Sequence, residues 1–323
     1  MKKLSIFLAS ILLISVVFTG TAIGAENYKI GISIPSADHG WTGGFVWWAE
    51  QAVEDLSEKY SNVSFELATA GSSSEQVRDV EDLMIKEIDA LVINPHNSSS
   101  LTPVVEEAKN QGIYVVSVDR GLTKDIEDVY VAGDNYGFGQ AAAEYMANRL
   151  NGEGRILVIE GVASVINKER MNGFTTVMDE YSDIKILDSQ PGDFSKQKSL
   201  TVMENFLQKY QDVDAVWAGD DDQLEGALQA YEESGRDDIK FFVGGGGKKT
   251  IIKSLMDGSN TVGATVTYPP SMVATGISLA VKGVKGQSLE GFYQNKIPSE
   301  IILKSELVTE DNAKQYYHPD SVY

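Results

Sequence analysis

Short apolar runs rich in β-branched residues alternate with helix-length segments along most of the chain. The runs predict β-strands. The segment from residue 42 to residue 59 predicts a helix, because Phe45, Trp48 and Ala52 recur at spacings of three and four. The predicted strands cover residues 28–34, 63–68, 90–93, 113–118, 129–132, 156–159, 184–187, 215–218, 241–243 and 262–267.

Strand and helix alternation of this kind is typical of parallel sheets with right-handed crossovers and helices on both faces. A single sheet of so many strands would be too wide. We therefore predict an α/β fold of two doubly wound parallel-sheet lobes. Such folds bind ligands outside the carboxyl ends of their strands, so functional residues are expected there.

Aromatic rings and charged side chains accumulate after the predicted strands of both halves. Asp119 and Arg120 directly follow an apolar run, and Phe194 lies in a predicted loop, where a core role is less expected. Rings beside convergent polar groups are typical of a site for a polar ligand. The candidate ligand-binding residues are Asp38, His39, Trp41, Asp119, Arg120, Arg170, Phe194, Asp220, Gly246 and Tyr268.

Several of these candidates also have structural interpretations. Asp119 and Arg120 either form an ion pair within the loop or bind vicinal hydroxyl groups of a ligand. The second role is chemically suitable because a carboxylate accepts from two hydroxyls and a guanidinium donates to two oxygens. Trp41 is either a core residue or a stacking platform. Of the aspartates at 220–222, we expect one to reach the cleft and the others to cap the following helix; the alternative is a divalent-cation site.

The glycine run at 244–247 follows a predicted strand and precedes Lys248, which suggests a phosphate-binding loop. The spacing fails, because Phe242 stands where that motif needs its first glycine and Lys249 intrudes before Thr250. We expect instead a sharp turn or a close approach of the backbone to a ligand.

The N-terminus predicts an export signal. Lys2 and Lys3 precede an apolar stretch at 4–18, and small residues follow up to Ala25. The alternative, a membrane anchor, would need roughly 20 apolar residues, which this stretch does not supply. We therefore predict a signal peptide at 1–25 and a mature protein that diffuses freely in the periplasm.

Composition excludes several classes of function. The 323 residues include 27 Lys and Arg against 47 Asp and Glu, and the net charge of −20 opposes binding to nucleic acid. The absence of cysteine excludes disulfides, thiolate nucleophiles and Cys-based metal sites. With three histidines and no His-Glu-x-x-His motif, we expect no metal and no cofactor.

Five short segments carry a family resemblance. They are Val-Ser-Val-Asp-Arg at 116–120, Ala-Gly-Asp-Asn at 132–135, Arg-Met-Asn-Gly-Phe at 170–174, Ser-Gln-Pro-Gly-Asp-Phe at 189–194 and Ala-Gly-Asp-Asp at 218–221. From about residue 28 to residue 303 the chain resembles the ribose-binding-protein-like sugar-binding proteins of ABC importers, which are type I periplasmic binding proteins. The resemblance implies a binding protein and not an enzyme, with Trp41, Asp119, Arg120, Arg170, Phe194 and Asp220 in its cleft.

The resemblance also implies a hinge of three crossovers between the lobes, expected near 131–135, 265–270 and 295–299. The N-terminal lobe would comprise 26–132 plus about 269–296, and the C-terminal lobe 133–268 plus about 297–323. The implied function is delivery of a neutral sugar or polyol to an ABC permease of the inner membrane by a monomer that closes at its hinge. Whether a chemoreceptor also docks is left open.

Departures from the ribose pattern bear on the ligand. Asp220 stands where the family has Asn, and Tyr268 stands where it often has Gln. The acidic residue of the family is absent after Val243, and its Asn-Pro-aromatic loop is replaced by residues 38–41. The lost carboxylate and the added large rings should reshape the cavity, so we do not expect ribose itself. Because Arg120 and Arg170 balance Asp119 and Asp220, the site is formally neutral. This neutrality favours an uncharged pentose, hexose or polyol.

Other functions are weighed against this one. A furanosyl signal molecule or an amino-acid-like compound would also suit Asp119 and Arg170. A LacI-type regulator shares the expected fold, but the export signal and the acidic charge oppose it. An α/β enzyme is opposed by the lack of a Gly-x-Ser-x-Gly elbow and of a dinucleotide-binding glycine motif after the first strand.

Overall fold

The computed structural model describes residues 26–37, 40–289 and 296–323. The predicted signal peptide at 1–25 and the candidates Asp38 and His39 lie outside the described residues. Within these ranges, no helix combines the length and the apolar character that crossing a membrane requires.

The first sheet contains six parallel strands. In chain order they are β1 (Tyr28–Pro35), β2 (Val63–Ala70), β3 (Ala90–Ile93), β4 (Tyr114–Val118), β5 (Val129–Gly133) and β11 (Glu300–Leu303), and they lie side by side in the order β11-β5-β4-β3-β1-β2. The helices of this lobe are α1 (Gly40–Lys59), α2 (Ser73–Ile85), α3 (Ser98–Asn110) and α9 (Met272–Val284).

The second sheet has the same plan with one antiparallel edge. Its strands are β6 (Glu153–Glu160), β7 (Asp183–Pro191), β8 (Ala215–Ala218), β9 (Phe241–Val243), β10 (Val262–Val266) and β12 (Leu307–Val308), in the order β12-β10-β9-β8-β6-β7. Only β12 runs antiparallel to its neighbour. The helices are α4 (Asn135–Arg149), α5 (Val165–Met178), α6 (Lys196–Lys209), α7 (Asp221–Ser234) and α8 (Lys249–Met256), and a 3-10 turn follows at Ala313–Gln315. The predicted pair of doubly wound lobes is confirmed.

Burial explains why the predicted strands were recognisable. The central strands β3 and β8 are buried at every residue, as expected for parallel strands covered by helices on both faces. The edge strand β7 is largely exposed. In α1, Phe45 and Ala52 are buried as the periodicity predicts, whereas Trp48 is only half-buried.

Within the part of the chain that the structure describes, the chain passes between the two sheets three times: after β5 at Gly133, after β10 at Val266, and between β11 and β12. The third crossover was expected near 295–299, and that expectation was wrong. Glu300–Leu303 pairs in parallel with β5 and extends the first sheet, so the chain crosses only between Leu303 and Leu307. Residues 300–303 therefore belong to the first lobe.

Aromatic packing joins the lobes at the hinge. The ring of Tyr268, just after β10, lies 5.9 Å from Trp41 of the first lobe and 6.3 Å from Phe138 of the second, centroid to centroid. It also rests on Gly133, where a Cβ atom would come within 2.3 Å of the ring. Glycine at the first crossover thus lets the second crossover pack directly against it.

Candidate functional site

A cavity lies between the carboxyl ends of the two sheets. It encloses about 420 Å³ of atom-free space including its open mouth. Residues from both lobes and from the hinge line it: Trp41, Asp119, Arg120, Ile166, Arg170, Phe194, Asp220, Gly246 and Tyr268.

Every candidate within the described residues lines this one cavity. That each of them contacts a ligand stays a prediction. Ile166 was missed, although it lies four residues before Arg170 on α5 and so shares its helix face. That spacing could have identified it.

Asp119 stands at a strained turn directly after β4. Its φ of 64° is in the left-handed region, and the N–H of Arg120 donates to the carbonyl of Val118 across it at 2.8 Å. Such strain is typical of functional sites that the surrounding fold holds in place. The turn directs Asp119 and Arg120 into the same cavity.

The Asp119 carboxylate is 4% exposed and accepts hydrogen bonds from two side chains. The hydroxyl of Tyr268 donates to its Oδ1 at 2.7 Å, and the amide of Asn94 donates to its Oδ2 at 3.5 Å. Burial raises the pKa of Asp119, although the nearby charge of Arg120 and the Tyr268 bond oppose this. The Nε of Arg120 lies 3.9 Å from Oδ2, so the predicted ion pair is present and long.

Tyr268 connects the walls of the cavity. Its carbonyl accepts a hydrogen bond from the Trp41 indole at 2.8 Å, and its hydroxyl lies 3.4 Å from the Asn135 amide. Burial, with the charge of Asp119, raises the pKa of Tyr268 well above its usual value. Tyr268 is therefore a neutral donor that occupies one oxygen of Asp119.

Arg170 is fixed from several sides. Its guanidinium carbon lies 4.1 Å from the ring centroid of Phe138 and 4.5 Å from that of Tyr268. Its Nε donates to Asn135 Oδ1 at 3.0 Å, and its Nη1 donates to the Gly219 carbonyl at 2.8 Å. A desolvated cation between aromatic faces is stabilised by roughly 2 kcal/mol or more. The sequence analysis did not predict that Asn135 and Phe138 hold Arg170 in place.

Asp220 lines the cavity and also caps α7, since it accepts from the N–H of Asp222 at 2.8 Å. We expected different aspartates to reach the cleft and to cap the helix. That expectation was wrong, because Asp220 does both. Burial raises the pKa of Asp220 to about 7, with the charge of Asp222 adding to the rise and that of Arg170 opposing it.

Asp221 fixes the glycine-rich loop from within the second lobe. It accepts from the N–H groups of Gly247 at 3.0 Å and Lys248 at 2.8 Å, and from the hydroxyl of Thr265 at 2.9 Å. Gly246 has a φ of 118°, which favours glycine. The loop is a turn whose amides are bound by a carboxylate of the chain itself, in agreement with the rejection of a phosphate loop.

Trp41 and Phe194 stand on opposite lobes. Trp41 is 7% exposed and packs 5.0 Å from Phe45, which agrees with its interpretation as a core residue, and it also lines the cavity. That it stacks on a ligand stays a prediction. Phe194 and its neighbour Asp193 have φ values of 56° and 55°, and the Phe194 ring rests on Gly161. Each lobe thus contributes one ring.

The cavity pairs hydrogen-bond acceptors with donors. Two carboxylates and two guanidinium groups converge between two rings, so the formal charges cancel. Across the described ranges, no group of three or more His, Asp or Glu side chains is placed to hold a metal ion. This arrangement suits an uncharged ligand rich in hydroxyl groups.

Comparison with known proteins agrees with this geometry. The family model described as a periplasmic binding protein domain matches residues 30–288. The chain is 32% identical over 249 residues to the ribose import binding protein RbsB of Bacillus subtilis (strain 168), covering 77% of this chain and 78% of that protein. It is 27% identical over 303 residues to the galactofuranose-binding protein YtfQ of Escherichia coli (strain K12), covering 90% and 91%.

A solved structure shows the same architecture. The periplasmic binding protein of the arabinose ABC transporter from Shewanella sp. ANA-3, bound to α- and β-L-arabinofuranose, matches with a TM-score of 0.77 and 26% identity. The match covers 89% of this chain and 94% of that one. The chain belongs to the periplasmic binding protein family.

Proposed function

We propose that this protein binds a neutral sugar or polyol between its lobes and delivers it to an ABC importer. The observation that carries the proposal is the cavity itself, in which charged and aromatic side chains of both lobes converge. Because Asp119 and Asp220 are matched by Arg120 and Arg170, a charged ligand would leave one charge unbalanced in a buried site. The relatives named for ribose import, galactofuranose binding and an arabinose ABC transporter support the same ligand class.

Closure follows from how the contacts are divided. Asp119 and Trp41 lie on the first lobe, whereas Arg170, Phe194 and Asp220 lie on the second. A ligand that touches both sets makes all its contacts only when the lobes are together. That differential affinity shifts the population toward the closed form.

The wider setting belongs to the same proposal. After removal of the signal peptide, the protein acts in the periplasm as a monomer, and an ABC permease of the inner membrane recognises its closed form. Docking to a chemoreceptor would use the same closed form.

A thermal-shift screen of residues 26–323 tests the proposal. The panel is D-ribose, D-allose, D-galactose, L-arabinose, D-fructose, xylitol and myo-inositol, with L-amino acids as the contrasting class. A binding sugar or polyol raises the melting temperature by mass action, because it binds only the folded state. Asp119→Asn and Trp41→Ala should abolish that shift, whereas Asp125→Asn on the exposed loop after Arg120 should keep it. A shift with amino acids alone would contradict the proposal.

A further inference from the structure

One hydrogen bond crosses the cleft without involving the cavity. The backbone N–H of Gly40, the first residue of α1, donates to Asp222 Oδ2 at 3.0 Å. Gly40 belongs to the first lobe and Asp222 to the second. Neither residue lines the cavity, so this contact joins the lobes beside the ligand site and not through it.

The first turn of α1 favours a negative charge at this position. The N-terminus of a helix carries unpaired N–H groups and a partial positive charge, and a carboxylate there is stabilising. No acidic residue lies in the first turn of α1. The Asp222 carboxylate of the opposite lobe is placed to supply this charge.

Hydrogen bonds within the second lobe fix the orientation of the Asp222 carboxylate. Its other oxygen, Oδ1, accepts from the ammonium of Lys248 at 2.6 Å, and Lys248 is in turn bound to Glu225 at 2.8 Å. All of these partners belong to the second lobe, so the orientation of Asp222 does not depend on closure. Its side chain is 11% exposed.

Glycine at position 40 is what allows the approach. A Cβ atom on Gly40 would lie 2.5 Å from Asp222 Oδ2 and 2.8 Å from Oδ1. In this arrangement of the lobes, a Cβ atom at position 40 would force the Asp222 carboxylate to move, so we expect a side chain there to weaken the contact between the lobes.

We propose that Asp222 is a latch that stabilises the closed form by capping α1 across the cleft. The inference rests on the proposed function, since it assigns a residue to the closure that delivers the ligand. The latch gives ligand-free protein a measurable closed population, and it lowers the apparent dissociation constant because that constant scales inversely with the competent fraction.

The test uses the absence of cysteine in the natural chain. Asp125→Cys on the loop after β4 and Ala163→Cys on the loop after β6 allow a fluorophore pair to report the opening of the cleft by energy transfer. Transfer is measured without sugar and then with the panel compound that raises the melting temperature most.

Asp222→Ala should lower the ratio of closed to open protein about tenfold, as expected for the loss of a helix cap, and weaken sugar binding by a similar factor. Asp222→Asn keeps a hydrogen-bond acceptor but removes the charge. Its ratio of closed to open protein should lie between those of wild type and Asp222→Ala. Ser72→Ala is the matched control, because Ser72 caps α2 within the first lobe by accepting from the Glu75 N–H. It should lower the melting temperature and leave both energy transfer and affinity unchanged.

A double-mutant cycle isolates the contact. Gly40→Ala should open the wild-type protein about as much as Asp222→Ala does, and it should have little further effect when Asp222 is already alanine. Additive effects would overturn the latch, as would an Asp222→Ala protein that closes like wild type. If no panel compound binds, the proposed function fails, while the ligand-free energy transfer still decides the latch.

Discussion

The two walls of the cavity use the same residue types in different ways. On the first lobe, Arg120 has 35% of its side chain exposed and lies 3.9 Å from its carboxylate partner, Asp119. On the second lobe, Arg170 is 5% exposed, and its guanidinium packs against the rings of Phe138 and Tyr268. The second wall is therefore preorganised for the ligand, whereas part of the first wall remains in contact with solvent. The two lobes thus contribute the same residue types, with the arginine fixed in the second wall and partly exposed to solvent in the first.

The carboxylates differ in the same way. Asp119 accepts from a tyrosine hydroxyl, and its position is fixed by the left-handed turn after β4. Asp220 accepts from a backbone N–H at the start of α7 and lies beside further acidic groups. We therefore expect Asp220 to be the cavity carboxylate whose protonation changes near neutral pH.

The largest expected effect separates the two arginines. Arg170→Met would leave the Asn135 and Gly219 acceptors without their donor, and each buried acceptor left unsatisfied typically costs about 1–3 kcal/mol. It would also remove the positive charge that opposes the raised pKa values of Asp119 and Asp220. We expect sugar binding to be lost in calorimetry and the melting temperature to fall. Arg120→Met removes a half-exposed charge and should weaken binding about tenfold or less, with little change in stability. Equal losses from the two variants would break the contrast between the walls.

A smaller effect is expected from the hydroxyl that holds Asp119. Tyr268→Phe leaves a buried carboxylate oxygen without its donor, and such a loss costs about 1–3 kcal/mol of folding free energy. Urea denaturation measures this cost, and calorimetry should show affinity lowered about tenfold. Tyr316→Phe is the control, because the Tyr316 hydroxyl bonds Glu306 away from the cavity. Equal stability of Tyr268→Phe and wild type would show that the bond does not support the first wall.

The mildest test concerns pH and sharpens the contrast between the carboxylates. Because the pKa of Asp220 is raised from 3.8 to about 7, the folded state holds more protons than the unfolded state between these values. The contribution of Asp220 to stability is therefore fully present below about pH 4 and is lost as the pH rises toward 7. Denaturation of wild type and Asp220→Asn from pH 4 to pH 8 should show a larger loss of stability in wild type, because the other buried carboxylates with raised pKa values, Asp119 and Asp221, are present in both proteins. Parallel curves would contradict the assignment.

The fold was predictable where burial leaves a strong pattern. Central strands such as β3 and β8 are continuous apolar runs, and their alternation with helices predicted parallel sheets. The edge strand β11 was missed because its four residues alternate between exposed and half-buried, and β12 was missed because it is only two residues long. Without these two strands, the third crossover was predicted too early in the chain.

The site was predictable as a set of strand-end residues, but their division of labour was not. Asp220, Asp221 and Asp222 are identical in type, and only the geometry of the α7 N-terminus sends one to the cavity, one to the glycine loop and one across the cleft. Gly40 and Asp222 are 182 positions apart in the sequence, so no local pattern could connect them.

The central claim is that residues of both lobes bind one neutral sugar or polyol in this cavity. A crystal structure of the mature protein with the panel compound that raises the melting temperature most tests it directly. We expect the compound between Trp41 and Phe194, with hydroxyl groups within hydrogen-bond distance of Asp119 and Asp220. A compound bound at any other surface, with the cavity empty, would contradict the account.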